Sequence, residues 1–288
     1  MAEAIRAETK TRVARLGYVP LLWYALFLFG PLALVIATSL ATRGTYGGID
    51  WTISFESFRR ALDPLYATVL WRSFWLSTLT SVLCLLIGFP IALAIATASR
   101  ASRSILIMAL AVPFLTNLVI RVCALRSLTA VGGPLDIFLS VLNVEHDPFA
   151  LSQNMPLVMI GMVTTYLPFM IFPIYGALER FDFSLVEAAQ DLGARDFQVF
   201  ARVLVPAMRA PIVAGTLLVF IPALGEFVIP DLLGGAKTML TGNLISEQFL
   251  KARDWPFGSA LSVLLLLVLL ISIAFIRRFG EGRRPRHA

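Results

Sequence analysis

Six runs of apolar sequence, each about the length of a bilayer-crossing helix, constrain this chain more than any other feature. A hydrocarbon core about 30 Å thick is crossed by about 20 helical residues. The runs are Tyr18–Leu40, Leu70–Ala98, Ser104–Arg126, Pro156–Ala177, Pro211–Leu233 and Gly258–Ile276. Lipid offers no partner to a bare backbone amide or carbonyl, so such runs must satisfy their own polar groups as helices. The predicted fold class is all-α: a single polytopic membrane domain over residues 1–288 with six transmembrane helices. The 15% charged content and mean hydropathy of +0.82 agree, because soluble domains carry about a quarter charged residues.

The interruptions Gly30-Pro31, Gly88-Phe89-Pro90, Pro168 and Pro222 are tolerable where neighbouring helices satisfy the freed backbone groups. The second run exceeds the bilayer requirement and predicts tilt or a start outside the membrane. The first is too long for the apolar core of a secretory signal, and is retained as a span.

Basic residues set the orientation. Arg6, Lys10, Arg12, Arg15, Arg100, Arg103, Arg180, Arg195, Arg202, Arg209, Arg277, Arg278, Arg283, Arg284 and Arg286 fall on one side. Arg43, Arg59, Arg60, Arg72, Lys237, Lys251 and Arg253 fall on the other, and Arg121 and Arg126 near the end of the third run. Both termini are therefore predicted to be cytoplasmic. The net charge of +6 reads as this asymmetry plus contact with anionic lipid, not as a nucleic-acid surface.

Cys84 and Cys123 both fall inside apolar runs and read as buried free thiols. With His146 in a loop and His287 at the tail, no histidine-based metal site or nucleophilic triad is legible. Glu8 and Arg12 read as a solvated helical face.

The longest cytoplasmic connection, residues 178–210, reads as helical. Ser184 is placed to cap a helix, and Glu187 three residues later completes an S-x-x-E capping box favoured by the helix dipole. Asp191 and Arg195 are spaced to pair across the Gly193 break. Ala188, Ala189 and Gly193 carry so little bulk that another protein can approach the backbone closely. Taken alone, these properties fit equally a helix packed on the chain's own membrane segments.

The complete pattern is Glu187-Ala188-Ala189, three residues, Gly193, nine residues, then Val203-Leu204-Val205-Pro206. It resembles the EAA motif of ABC importer permeases, with valines where the family usually has isoleucine and leucine. The resemblance implies a type I importer permease fold. It also implies a coupling helix over roughly Ser184–Gln198, in which Glu187, Ala188, Ala189, Gly193 and Pro206 engage a nucleotide-binding subunit. The segments Asp231–Lys237, Gly242–Ile245 and Arg253–Gly258 look like the B-type permeases of spermidine/putrescine importers. That likeness implies a bacterial inner-membrane protein, a sister permease subunit, two ATP-binding cassette subunits and an extracytoplasmic solute-binding protein. It further implies that ATP and Mg belong to the partner ATPase, with no cofactor in this chain.

No phosphate-binding loop is present: in Gly234-Gly235-Ala236-Lys237-Thr238 alanine replaces the glycine before lysine, and the earlier glycine is missing. The chain thus reads as a non-catalytic subunit. Glu226 within the fifth run and Asp231 near its outer end are candidate carboxylates for a cation path. A structural ion pair of Glu226 with Arg121 is the alternative. Tyr166, Phe169, Phe220 and Phe227 are candidates for cation–π contact with amines, or for ordinary packing. Trp255 beside Pro256 reads as an interfacial anchor. Two outer-face helices are expected, over Leu135–Val144 and around Leu244–Phe249, with Glu247 and Lys251 spaced to pair.

Three function classes remain distinguishable. An ABC importer permease, for polyamines or another small solute such as an opine or iron(III), fits the cytoplasmic motif. An ion-coupled secondary transporter predicts a repeated half-structure, and no duplication is visible across the six runs. An intramembrane enzyme needs a nucleophile–base or metal-ligand set that the sequence does not present.

Overall fold

The computed structural model describes residues 2–45, 47–142, 154–235 and 238–280, with side chains for Pro20 and from Leu22 to Arg278 within those ranges. Val144, His146, Lys237, Arg283, Arg284, Arg286 and His287 lie outside them, as do the side chains of Glu8 and Arg12.

Helices dominate. They are α1 (Ala2–Ser39), α2 (Glu56–Ala61), α3 (Pro64–Thr97), α4 (Arg100–Leu115), α5 (Leu118–Leu128), α6 (Pro134–Val141) and α7 (Met155–Leu178). After α7 come α8 (Ser184–Asp191), α9 (Asp196–Val199), a π turn (Phe200–Leu204), α10 (Val205–Ala207) and α11 (Arg209–Leu224). The chain ends with α12 (Val228–Leu233), α13 (Thr241–Leu250) and α14 (Trp255–Gly280). Two two-residue strands, β1 (Thr42–Arg43) and β2 (Ile49–Asp50), pair antiparallel in a hairpin that the periodicity did not announce.

Among the described residues, four helices are long and apolar enough to cross a membrane, through Leu22–Ser39, Pro64–Thr97, Met155–Leu178 and Trp255–Arg278. Two bent pairs raise the number to six if each is one span: α4 with α5 at 93°, and Asp196–Ala207 with α11 at 70°. The third and fifth runs therefore differ from the single straight spans expected. In the third, Thr116 is extended and Asn117 caps α5, its Oδ1 accepting from Val119 N at 2.8 Å and Ile120 N at 3.4 Å. A good side-chain cap lets a new helix start in a new direction. In the fifth, α11 stops at Gly225 and Glu226 precedes the separate α12.

By Cα packing the chain divides into two compact units, Met1–Asp63 with Glu247–Leu264 and Pro64–Ser246 with Leu265–Ala288. The core of the second unit is the mutual packing of α3, α7 and α11. Without a hydrophobic drive in lipid, such helices are held by close van der Waals fit, which favours small residues at crossings. Gly215 of α11 meets Met170 of α7 so closely that a Cβ there would lie 2.8 Å from Sδ and 3.2 Å from the carbonyl oxygen. Cys84, Val158, Met162, Ile171, Ile174 and Val219 fill the same core. Cys84 is buried as expected, but Cys123 of α5 is exposed. The neighbouring Val122 of α5 is buried in the core and Cys123 faces away from it, so an apolar run alone did not decide burial.

Within the first unit, Asp254 is almost fully buried yet charged. Arg60 Nη1 donates to its Oδ2 at 3.0 Å, Arg43 Nη1 stands 4.0 Å from the same oxygen, and Phe257 N donates to Oδ1 at 3.2 Å. Arg43 Nη2 also donates to Ala252 O at 2.9 Å, joining the hairpin to the turn before α14. Trp255, half exposed in the first turn of α14, meets Phe249 edge to face at 6.0 Å.

Candidate coupling surface and intramembrane site

The loop over residues 178–210 folds as short helices around a turn. Ser184 does not cap α8. It is the first helical residue, and Asp182 Oδ1 accepts from its amide at 3.0 Å instead. A carboxylate is the stronger acceptor at the positive end of a helix. Hydrogen bonds from the Ser184 side chain and backbone hold the Asp182 carboxyl below the usual aspartate range. Glu187 is exposed in the first turn, as expected, but makes no capping box.

The α8 helix ends because Gly193 adopts φ +84°, a left-handed conformation in which its amide bonds Gln190 O at 2.8 Å and the next amide bonds Ala189 O at 3.1 Å. That is a glycine C-cap satisfying otherwise orphaned carbonyls. Nothing lies within 4 Å of where a Gly193 Cβ would stand, so backbone conformation demands this glycine inside the chain. The expected Asp191–Arg195 pair does not form. Gln190 Nε2 spans the turn to Asp196 Oδ1 at 3.1 Å, and Gln198 Oε1 accepts from Arg195 N at 3.0 Å.

Leu185, Ala188, Ala189 and Leu192 recur at i, i+3, i+4 and i+7, one stripe of an amphipathic helix. That stripe is uncovered: Leu185 is 53% exposed and Leu192 90%. Phe197 is 79% exposed on the following helix. Large apolar side chains left open beyond the membrane segments are the signature of an interaction surface. The sequence reading missed these flanking residues, although their heptad spacing was available.

Further on, Pro206 has no amide to return to Arg202 and its ring crowds that carbonyl. The preceding turn widens, with Val205 N bonding Phe200 O, five residues back. A π turn of this kind is rare and frequent at functional sites. Further contacts join the ends of α3 and α7 near this loop. Arg103 Nη2 donates to Ala96 O at 2.7 Å, and Nη1 stands 3.5 Å from Glu179 Oε1, which also accepts from Tyr175.

The intramembrane candidates fall into two groups. Tyr166 donates to Glu226 Oε2, and the Tyr166 and Phe169 ring centroids are 6.2 Å apart. Glu226 Oε1 accepts from Phe227 N at 3.0 Å, Val228 N at 2.8 Å and Ile229 N at 3.3 Å, capping α12. Phe227 and Asp231 are exposed and joined by Asp231 N donating to Phe227 O at 3.1 Å. Phe220 stands apart: it packs edge to face on Phe74 at 5.9 Å and lines an apolar groove of about 660 Å³ with Trp71 and Phe275. The Glu226–Arg121 ion pair does not form, because Arg121 Nη2 is turned to the carbonyls of Thr116 at 3.1 Å and Phe114 at 3.4 Å. The helix break supplies Glu226 with backbone donors that a continuous helix would have hidden.

Residues 84–284 match the family described as the binding-protein-dependent transport system inner membrane component. The chain belongs to this family of ABC importer permeases.

Among its relatives, the spermidine/putrescine transport system permease protein PotB of Escherichia coli (strain K12) is 40% identical over 86% of this chain and 90% of that protein. The protein of the same name from Haemophilus influenzae (strain ATCC 51907 / DSM 11121 / KW20 / Rd) is 40% identical over 88% of this chain and 89% of that one. A bacterial ABC transporter that imports the acidic polysaccharide alginate has a solved chain superimposing with a TM-score of 0.78, at 18% identity, over 96% of this chain and 98% of that chain. The importer permease fold is thereby established, and the chain is a multi-pass protein of the inner membrane. In such a permease the stripe on α8 and the break at Glu226 are separate features, one in the loop after α7 and one inside the membrane segments.

Proposed function

We propose that this chain is the B-type permease subunit of an ATP-driven polyamine importer, carrying spermidine and putrescine inward by alternating access. It works with a sister permease, two ATP-binding cassette subunits that hold ATP and Mg, and an extracytoplasmic solute-binding protein. The whole chain 1–288 acts as one permease domain, with both termini cytoplasmic and no covalent chemistry of its own. The 40% identity to permeases named for spermidine and putrescine supports the cargo.

The observation that carries the coupling role is the uncovered stripe Leu185–Ala188–Ala189–Leu192, closed by the left-handed turn at Gly193. In this reading, loop 178–210 inserts α8 into a cleft of the ATPase, with Glu187, Ala188, Ala189, Gly193 and Pro206 in the contact. ATP binds the closed ATPase pair better than the open one, and that difference is the only energy available to move the docked helices. Asp231 and Phe227 are the exposed members of the cation path, Glu226, Tyr166 and Phe169 stand behind them, and Phe220 lines the separate apolar groove.

The test is ATP-dependent spermidine uptake by proteoliposomes holding the full complex. Charge reversal, Glu187→Lys, or the bulky Gly193→Trp should abolish uptake and release the ATPase subunits on purification. Uptake and association intact in both variants contradict the coupling role, and uptake of another solute in place of spermidine contradicts the cargo.

A further inference from the structure

A carboxylate inside a membrane protein for polycations invites a role as cargo ligand, but the surroundings of Glu226 point elsewhere. The group is 8% exposed and Tyr166 is 5% exposed. A carboxylate has about four lone-pair directions. Three consecutive amides share the two directions of Oε1, and the Tyr166 hydroxyl takes one of the two on Oε2. One direction on Oε2 remains, and a group this buried gives an ammonium little access to it.

Three of these donors, the amides, are what a broken membrane helix needs answered. Where α11 ends and α12 begins, amides lose their helical partners, and lipid offers none. The break is also held from α13. A Cβ on Gly242 would lie 2.6 Å from Gly225 O and 2.8 Å from Glu226 O, and Asn243 Nδ2 donates to Phe227 O at 2.8 Å. Thus α7 grips the break through Tyr166, and α13 grips it through Gly242 and Asn243.

We propose that Glu226 is a positioning residue, not a cargo ligand: with Tyr166 it pins the α11–α12 break to α7 and thereby fixes how Phe227 and Asp231 are presented to the cation path. This rests on the permease reading above. It assigns the two acidic groups different work. Asp231 meets cargo, and Glu226 holds the backbone that carries it.

The rank order of variants separates the two roles. A glutamine keeps the side-chain length and an oxygen for the three amides, and its NH₂ can donate to the Tyr166 oxygen. An aspartate keeps the charge but is one methylene too short. Purified full complex, with sister permease, ATPases and binding protein, is compared as wild type, Glu226→Gln, Glu226→Asp and Tyr166→Phe. Hydrogen exchange of the Phe227–Ile229 amides is read alongside spermidine uptake. Expected is near wild-type uptake and protection in Glu226→Gln. Glu226→Asp and Tyr166→Phe should each lose about tenfold in maximal rate, the scale of one hydrogen bond to a charged group, at unchanged apparent KM. Faster amide exchange should accompany that loss.

The opposite order, Asp better than Gln with a raised KM and wild-type amide protection throughout, overturns the proposal. The exchange measurement needs no cargo, so a wild type that takes up no spermidine fails the cargo reading while this inference is still decided by amide protection. Tyr166→Phe removes one hydroxyl and no charge, which keeps the test readable if a Glu226 variant assembles poorly.

Discussion

The guanidinium of Arg60 lies 4.2 Å from the centroid of the Phe257 ring while its Nη1 reaches the buried carboxylate of Asp254 at 3.0 Å. One side chain thus satisfies a buried charge and covers an aromatic face at once. A planar guanidinium suits both tasks, and an ammonium suits neither as well. Asp254→Ala leaves the Phe257 amide without its acceptor and both arginines without their anion. The arginines are partly exposed, which softens the penalty, so the loss should be about 2 kcal/mol. Thermal unfolding of the purified complex should show a lowered Tm, with Arg60→Lys intermediate.

Gly193 is held at φ +84° with open space where a side chain would start. Replacement by alanine should therefore act through the backbone, at about 1–2 kcal/mol. Asparagine tolerates this conformation better. Helix content of the loop and ATPase association should consequently fall further in Gly193→Ala than in Gly193→Asn. Equal loss in both would mean that side-chain bulk at the docking face matters more than φ.

Gly215 and Met170 set how closely α11 approaches α7. Gly215→Ala places a methyl against both Sδ and the carbonyl oxygen, and overpacking of this sort destabilises by about 1–3 kcal/mol. Trimming the side chain relieves only the sulfur contact. The double variant Gly215→Ala with Met170→Ala should still unfold at a lower temperature than Met170→Ala alone.

The Asp182–Ser184 bond makes the start of α8 sensitive to acid. Because the folded-state pKa is depressed, the bond contributes fully above the ordinary aspartate range and is lost as pH falls through the lowered value. Exchange protection of the Ser184 amide should be flat through neutral pH and decline only in strong acid. Asp182→Asn should flatten that decline.

Apolar length made the spans legible, and the motif after α7 made the helical loop legible, because both are written in consecutive residues. The breaks were harder. Asn117 carries a usable capping signal, but it sits inside a run apolar enough to be read straight through. Gly225 is a weak stop, and Glu226 looks like a stray membrane charge until the three amides after it are seen together. Asp254 was invisible for a different reason: Arg43 and Arg60 reach it from positions about 200 residues away, and no local pattern encodes such a meeting.

The widened turn at Phe200–Leu204 carries one residue more than an ordinary helix would need there. Each residue advances a helix by about 100°. Excising a single position from that stretch would swing Phe197 roughly a quarter revolution around the rod, aiming it away from whatever it now confronts. The direction in which this arm faces is therefore encoded by a miscounted coil next to a proline, like the cut of a key set by the notch before it.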